Sequence, residues 1–400
     1  MTVRIVIGKN FGDEGQGLAV DFFASQSPGR SVICVRHNGG AQAGHTVDRP
    51  DFRFVFLQLS SGSLRGADTY WADSFLPDLY KLSEETERFA SAGRRLPQIF
   101  ASPRCRCTYP GDVLLNMLLE TSRGADRHGS CGMGINEAVV RSEQYPLYLG
   151  HAAGQPADAL FRRMRTLKND YLPQRLRELH IDLKTAGEYG ELLQSETLLR
   201  NAAEVMARNA AALRLCGAEH LTGYDDVIFE GAQGLLLDSE YTAYAPHLTS
   251  SRTGLHEPAR IVNSVLPCAD AEIVYVTRTY VTRHGAGPLP RALPAEQSAF
   301  LRNDRTNVPN PWQGTLRAAA HGDAADFVHA VRGDLADNPL NASVSLFVTH
   351  LNETDGCMLT DTGRIPAETY CRADALRTVF ARVYYSDSPY AENVRCADFF

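Results

Sequence analysis

No apolar run in this chain nears the roughly 18 to 20 residues needed to span a bilayer. It has no repeat, no low-complexity tract and no Gly/Ser linker. Its nine cysteines (Cys34, Cys105, Cys107, Cys131, Cys216, Cys268, Cys357, Cys371 and Cys396) are odd in number and scattered, with no CxxC pair. The one close pair, Cys105-Arg106-Cys107, has no second pair or histidine cluster at zinc spacing. A transmembrane helical protein, a solenoid and a zinc ribbon are thereby excluded, and the cysteines read as reduced, mostly buried thiols. The net charge of −7 over 400 residues argues against a general nucleic-acid binder. The start, Met1-Thr2-Val3-Arg4-Ile5, enters a strand without the apolar core of a signal peptide, so a cytoplasmic location is expected.

What is present is ordinary for a soluble globular protein: 44% hydrophobic and 22% charged residues. Strands are expected at Val3–Ile7, Ser31–Arg36, Phe52–Leu59, Asp226–Phe229, Glu272–Val281 and Ser343–Thr349. Several are continuous Val/Ile-rich runs, which suit a sheet buried on both faces. Helices are expected at Leu79–Ala92, Val113–Ser122, Ala157–Leu179 and Ala186–Leu215. This alternation predicts an α/β fold, a large mainly parallel central sheet flanked by helices. The Pro-, Asn- and Arg-rich segment Pro288–Trp312 reads as a long irregular loop, and one domain over 1–400 with loop insertions is preferred to two.

Two glycine-rich turns carry the chemistry. The first, Gly8-Lys9-Asn10-Phe11-Gly12-Asp13-Glu14-Gly15-Gln16-Gly17, joins a strand to a helix. Glycines let the backbone approach an anion, and a helix N-terminus offers free N–H groups. Its spacing fits neither GxxxxGK[ST] nor GxGxxG. The second, Arg36 to Thr46, places His45 between Gly44 and Thr46. Ligands of open α/β sheets bind at the carboxyl ends of strands, so both turns are expected at one crevice. Taken singly, Asp13 could merely cap a helix and His45 could be a satisfied turn residue.

At these residues the chain resembles the adenylosuccinate synthetase family. Gly12-Asp13-Glu14-Gly15-Gln16-Gly17-Leu18 is similar to the family's GDEGKGK, and Gln42-Ala43-Gly44-His45-Thr46 to its NAGHT. Leu59 to Arg65 resembles LLPSGILR, Gly129 to Ile135 GTTGRGIG, and Phe229-Glu230-Gly231-Ala232-Gln233-Gly234 matches FEGAQG. His247 to Ser251 resembles FVTSS, and Thr282 to Pro290 TRVGAGPFP. The motifs keep family order up to about residue 290; the C-terminal third matches weakly.

The resemblance implies a fold related to P-loop NTPases and a C–N bond-forming ligase. GTP or ATP would phosphorylate the 6-oxo group of an IMP-like purine nucleotide, and aspartate or another amino acid would displace the phosphate. It implies Asp13 as the base at purine N1, His45 as the acid at the transferring phosphoryl group, and Asp13 with the Gly44 carbonyl as Mg²⁺ ligands. The NTP would contact Gly12, Asp13, Glu14, Gly15, Gln16, Gly17, Gly44, His45 and Thr46, with His350 and Asn352 at its base. The acceptor nucleotide would meet Gln42, Ser130, Cys131, Arg141, Gln233 and Thr249, with Arg141 crossing to a second subunit of a homodimer. The amino acid would meet Arg305, Thr306 and Asn307. Neither nucleic acid nor membrane is an expected partner.

Four departures from the family pattern bear on substrates. Gln16 stands where a lysine is expected, so the phosphate loses a charge-assisted donor unless Lys9 or Arg36 supplies one. Gln42 and Cys131 replace an Asn and a Thr in the acceptor pocket. Asn352 replaces the Asp that reads guanine, and an amide cannot present two acceptors to a guanine edge. The arginines expected before Trp312 are missing, leaving Arg302 and Arg305 slightly upstream. An aspartate-using enzyme, a relative with ATP or another amine, and a nucleotide-binding protein without turnover all stand at this point; retention of Asp13 and His45 weighs against the last.

Overall fold

Val3, Ile5, Val6 and Ile7 have no exposure to solvent, which places the N-terminal strand in the middle of a ten-stranded sheet. The computed structural model describes residues 1–126, 128–302 and 304–398. The sheet strands are β1 (Thr2–Gly8), β2 (Val32–Arg36), β3 (Asp68–Trp71), β4 (Ile99–Ala101), β5 (Arg214–Leu215), β6 (Asp226–Gly234), β7 (Asp270–Arg278), β8 (Ser343–Thr349), β9 (Arg382–Tyr385) and β10 (Arg395–Asp398). Their order is β10-β9-β8-β7-β1-β6-β2-β3-β4-β5, parallel throughout except for the antiparallel β9–β10 pair at one edge. Apolar clusters cover both faces, the largest joining Val3, Ile5 and Ile7 to Phe229, Tyr275, Leu346 and Val383. A sheet buried on both faces explains the unbroken apolar runs of β1, β6, β7 and β8.

Three expectations differ in detail. Phe52–Phe56 pairs antiparallel with His45–Arg49 outside the central sheet. It stops before Leu59 because Glu85 takes the amides of Leu57, Gln58 and Leu59. The single helix expected at Ala186–Leu215 is two, Gly187–Gln194 and Glu196–Ala211. Ser195 separates them, its hydroxyl capping the second by accepting from the Leu198 amide at 3.1 Å. Strands β3, β4, β5, β9 and β10 are not among the expected ones; at two to four residues each they are too short to show a period.

The segment Pro288–Trp312 has one short 3-10 turn, Ala299–Arg302, among its described residues. Strands β1, β2, β6, β7 and β8 all run in the same direction, so Gly8, Arg36, Gly234, Arg278 and Thr349 end along one rim. The two glycine-rich turns leave from that rim.

Candidate active site

The first turn enters helix α1 (Gln16–Ser25) through a backbone that alternates hand: φ is 91° at Gly12, 58° at Asp13 and 99° at Gly15. A Cβ on Gly15 would stand 2.9 Å from the Thr349 methyl, so glycine is needed there both for hand and for room. The turn lays the first amides of α1 open toward a cleft of about 1180 Å³. Asp13 projects its carboxylate into that cleft, with the side chain 38% exposed.

The cleft gathers most of the residues singled out in the sequence. Gly12, Asp13, Gly15, Gln16, Gly17, Gln42, Gly44, His45, Thr46, Ser130, Cys131, Gln233, Thr249, Arg305, Thr306, His350 and Asn352 all line it. Both polar atoms of the Gln42 amide and Oε1 of Gln233 are buried without a partner. Buried polar atoms without a partner are uncommon in folded proteins, and both of these residues line the cleft. Asp238 anchors the loop that carries Thr249, accepting from the Thr253 amide at 2.6 Å and from Arg252 Nε at 3.0 Å.

His45 is oriented by Glu230, an acid within the Phe229–Gly234 motif to which the family resemblance assigns no role above. Glu230 Oε1 lies 2.6 Å from His45 Nδ1. Burial pushes the Glu230 carboxyl up, but Arg36, His45 and Ser61 together outweigh it and hold it at about 2. Ser61 supplies both its amide, 3.0 Å from Oε2, and its hydroxyl. With Nδ1 engaged, Nε2 is the ring nitrogen left for the cleft. The available signal for Glu230 was an acid at the carboxyl end of a buried strand.

Other predicted residues lie elsewhere. Glu14 is 1% exposed and stays inside the turn, where its Oε1 accepts from the Asn10 amide and side chain at 2.7 and 2.6 Å. Burial raises its carboxyl to about 8 against the pull of Asn10 and Lys9. Asn307 supports its own loop, accepting from the Leu316 amide at 2.7 Å and donating to the Leu301 carbonyl. Arg141 is fully buried in a two-pronged pair with Asp112, both contacts at 2.9 Å, and donates further to the carbonyls of Cys107 and Tyr145. Its guanidinium is thus engaged within its own chain and stands outside the cleft lining.

The charge missing at Gln16 is not replaced by either candidate. Lys9 Nζ bonds Asn10 Oδ1 and lies 3.9 Å over the Phe327 ring, and Arg36 is buried against Phe75 and the Leu59 carbonyl. Gln16 itself bridges the turn, accepting from the Glu14 amide at 3.1 Å and donating to the Gln233 carbonyl at 2.7 Å. Arg305 is exposed in the cleft wall without an acidic partner among the described residues. His284, where the family pattern has valine, places Nε2 3.7 Å from Asp13 Oδ2. His350 sits at φ 62° with Nδ1 2.7 Å from the Thr349 hydroxyl, and Asn352 is exposed beside it.

The donor set suits Mg²⁺, which takes hard oxygen ligands, keeps waters and shares substrate phosphates. An exposed Asp13 carboxylate and the cleft-lining Gly44 backbone offer that chemistry, and no group of three or more His, Cys, Asp or Glu ligands occurs among the described residues. No helix among them is long and apolar enough to cross a membrane.

A sequence profile described as adenylosuccinate synthetase matches residues 5–309. The adenylosuccinate synthetase of Azobacteroides pseudotrichonymphae is 29% identical over 310 residues, covering 76% of this chain and 69% of that protein. That of Aspergillus niger is 31% identical over 306 residues, covering 72% and 65%. Among solved structures, the fully ligated adenylosuccinate synthetase of Plasmodium falciparum superposes with a TM-score of 0.70 at 17% identity, over 98% of this chain and 99% of that one. Succinoaminodeoxyadenylate synthetase of cyanophage S-2L, bound to dGMP and dATP, superposes with a TM-score of 0.60 at 14% identity, over 98% and 95%. The profile spans about three-quarters of the chain and the fold agrees end to end: the chain belongs to the adenylosuccinate synthetase family of C–N bond-forming ligases.

Proposed function

We propose that the protein phosphorylates the 6-oxo group of an IMP-like purine nucleotide with a nucleoside triphosphate, then joins C6 to the amine of an amino acid. A purine 6-oxo oxygen is a weak nucleophile and hydroxide a poor leaving group. Asp13, exposed in the cleft, removes the N1 proton and pushes charge onto O6. O6 then takes the γ-phosphoryl group, and the nucleoside diphosphate leaves. His45 directs its Nε2 toward the phosphoryl oxygens, with Glu230 fixing the ring through Nδ1. Mg²⁺ held at Asp13 and Gly44 would neutralise phosphate charge. The amine nitrogen then bonds to C6 as the C6–O bond breaks, releasing inorganic phosphate. The open amides at the start of α1 cradle the triphosphate, and the orphaned amides of Gln42 and Gln233 meet the acceptor.

The observation that carries this reading is one cleft in which His45, clamped by a fully buried carboxylate, shares the wall with the exposed carboxylate of Asp13. A specialised relative using ATP or an amine other than aspartate is the second reading. Gln16 turned inward and Arg305 without its expected companions favour it. The phage enzyme of the same fold, described with dATP as its energy donor, makes an adenine donor a natural arm of the test. A homodimer belongs to the same proposal, with an interface that does not use Arg141.

Purified protein is incubated with IMP or GMP, GTP or ATP, Mg²⁺ and a panel of amino acids, following phosphate release and product mass. A nucleotide product bearing the amino acid is expected from at least one mixture. Tight nucleotide binding with no C–N product in any mixture would overturn the ligase reading. Turnover confined to GTP with aspartate would remove the second reading.

A further inference from the structure

Arg278 ends β7, and its guanidinium is 3% exposed, yet the role proposed above does not use it. Its guanidinium bonds three partners: the phosphate turn, the loop around Asp304 and Tyr280. Nε donates to the Asp13 carbonyl at 2.5 Å, and Nη1 donates to Asp304 Oδ2 and to the Tyr280 hydroxyl, each at 2.9 Å. The chain continues outward from each partner. Asp304 Oδ1 accepts from the Thr306 amide at 2.8 Å and from its hydroxyl. The Tyr280 hydroxyl donates to Glu353, which adjoins Asn352 on the cleft wall.

We propose that Arg278 is a positioning residue that ties the phosphate turn to the segment carrying Arg305 and Thr306 and to the segment carrying His350 and Asn352. The inference rests on the assignment of those segments to triphosphate, amino acid and donor base. Asp13 adopts φ 58°, unusual for a residue with a Cβ, so its peptide orientation needs support from outside the turn. The Arg278 bond to its carbonyl supplies that support. The long loop around Asp304 has little regular structure of its own, so tethers to the sheet set its place. A guanidinium suits this task and an ammonium does not, because its planar fork donates along several fixed directions at once. Burial pushes the Asp304 carboxyl up, yet Arg278 and Thr306 outweigh it and hold it at about 2. The tether therefore stays ionised across the working pH range. Filling the phosphate turn is felt at the amino-acid segment through one side chain.

The test compares wild type with R278M, R278K and D304N by hydrogen exchange and steady-state kinetics. In wild type, IMP with GTP or ATP slows amide exchange across residues 304–308. In R278M that protection is lost while nucleotide still binds, and KM for the amino acid rises about tenfold with a smaller change in KM for the triphosphate. R278K and D304N, each keeping part of the link, fall between; they carry the test should R278M fail to fold. Unchanged protection in all three variants, or an equal rise of KM for every substrate, overturns the inference. Wild type that binds no nucleotide overturns it together with the function it rests on. Wild type that binds nucleotide but forms no C–N product overturns that function alone, and the exchange experiment still decides the role of Arg278.

Discussion

His45 Nδ1 and Glu230 Oε1 are 2.6 Å apart, although 185 residues separate them in the chain, and Glu230 has no exposure to solvent. The carboxylate fixes the ring with Nε2 toward the cleft, so Glu230→Gln should lower kcat by about a hundredfold or more while nucleotide affinity changes little. Glu230 titrates at about 2, below the ordinary glutamate value of 4.5. Its stabilising contribution is thus fully present above 4.5 and is lost as pH falls toward 2. Acid-unfolding curves should show wild type losing stability in that window and E230Q losing less. Equal kcat in the two proteins would remove Glu230 from the mechanism.

Asp13→Asn separates charge from backbone, because Asn tolerates the left-handed conformation that Asp13 adopts at φ 58°. Turnover should drop by a factor of about 10² to 10⁴, with thermal stability close to wild type. Phosphate release by D13N at the wild-type rate would refute Asp13 as the base.

Gln16→Lys restores the residue type of the family pattern, yet should destabilise this chain. Lysine cannot accept from the Glu14 amide, a bond that Gln16 makes at 3.1 Å inside a buried turn. A loss of about 1 to 2 kcal/mol in urea unfolding is expected from that unsatisfied donor. Undiminished stability would show that the turn re-forms around lysine.

Arg141→Met leaves Asp112 buried without its partner, and a cost of about 3 to 5 kcal/mol is expected. Adding Asp112→Asn should recover much of it. KM for the acceptor nucleotide, measured on the folded fraction, should stay near the wild-type value. A large rise in that KM with stability unchanged would return Arg141 to the acceptor site.

Much of the site was readable from local sequence. A buried run followed by Gly-Asp-Glu-Gly dictates strand, tight turn and helix start, because glycine hand and helix-end amides are properties of a few adjacent residues. The order of such turns then located the rim on which Asp13, Gln42, His45, Gln233 and Thr249 meet. The short strands were not readable, since two to four residues carry no measurable period. Nor was the division of labour among charged side chains. Glu14, Arg141 and Asn307 look like ligand residues in the sequence, and in the fold their side chains bond within the chain.

By itself, then, the sequence determined the α/β class, the family and the backbone of both glycine-rich turns. Only the tertiary structure decided which groups remain free to act. Sheet register sets Arg36 opposite Glu230 on neighbouring strands, and the hairpin that starts at His45 brings its ring onto the same carboxylate. Loop return places Asp304 on Arg278. A side chain's chemistry depends on which donors and acceptors its neighbours have already claimed, and those neighbours lie far away along the chain.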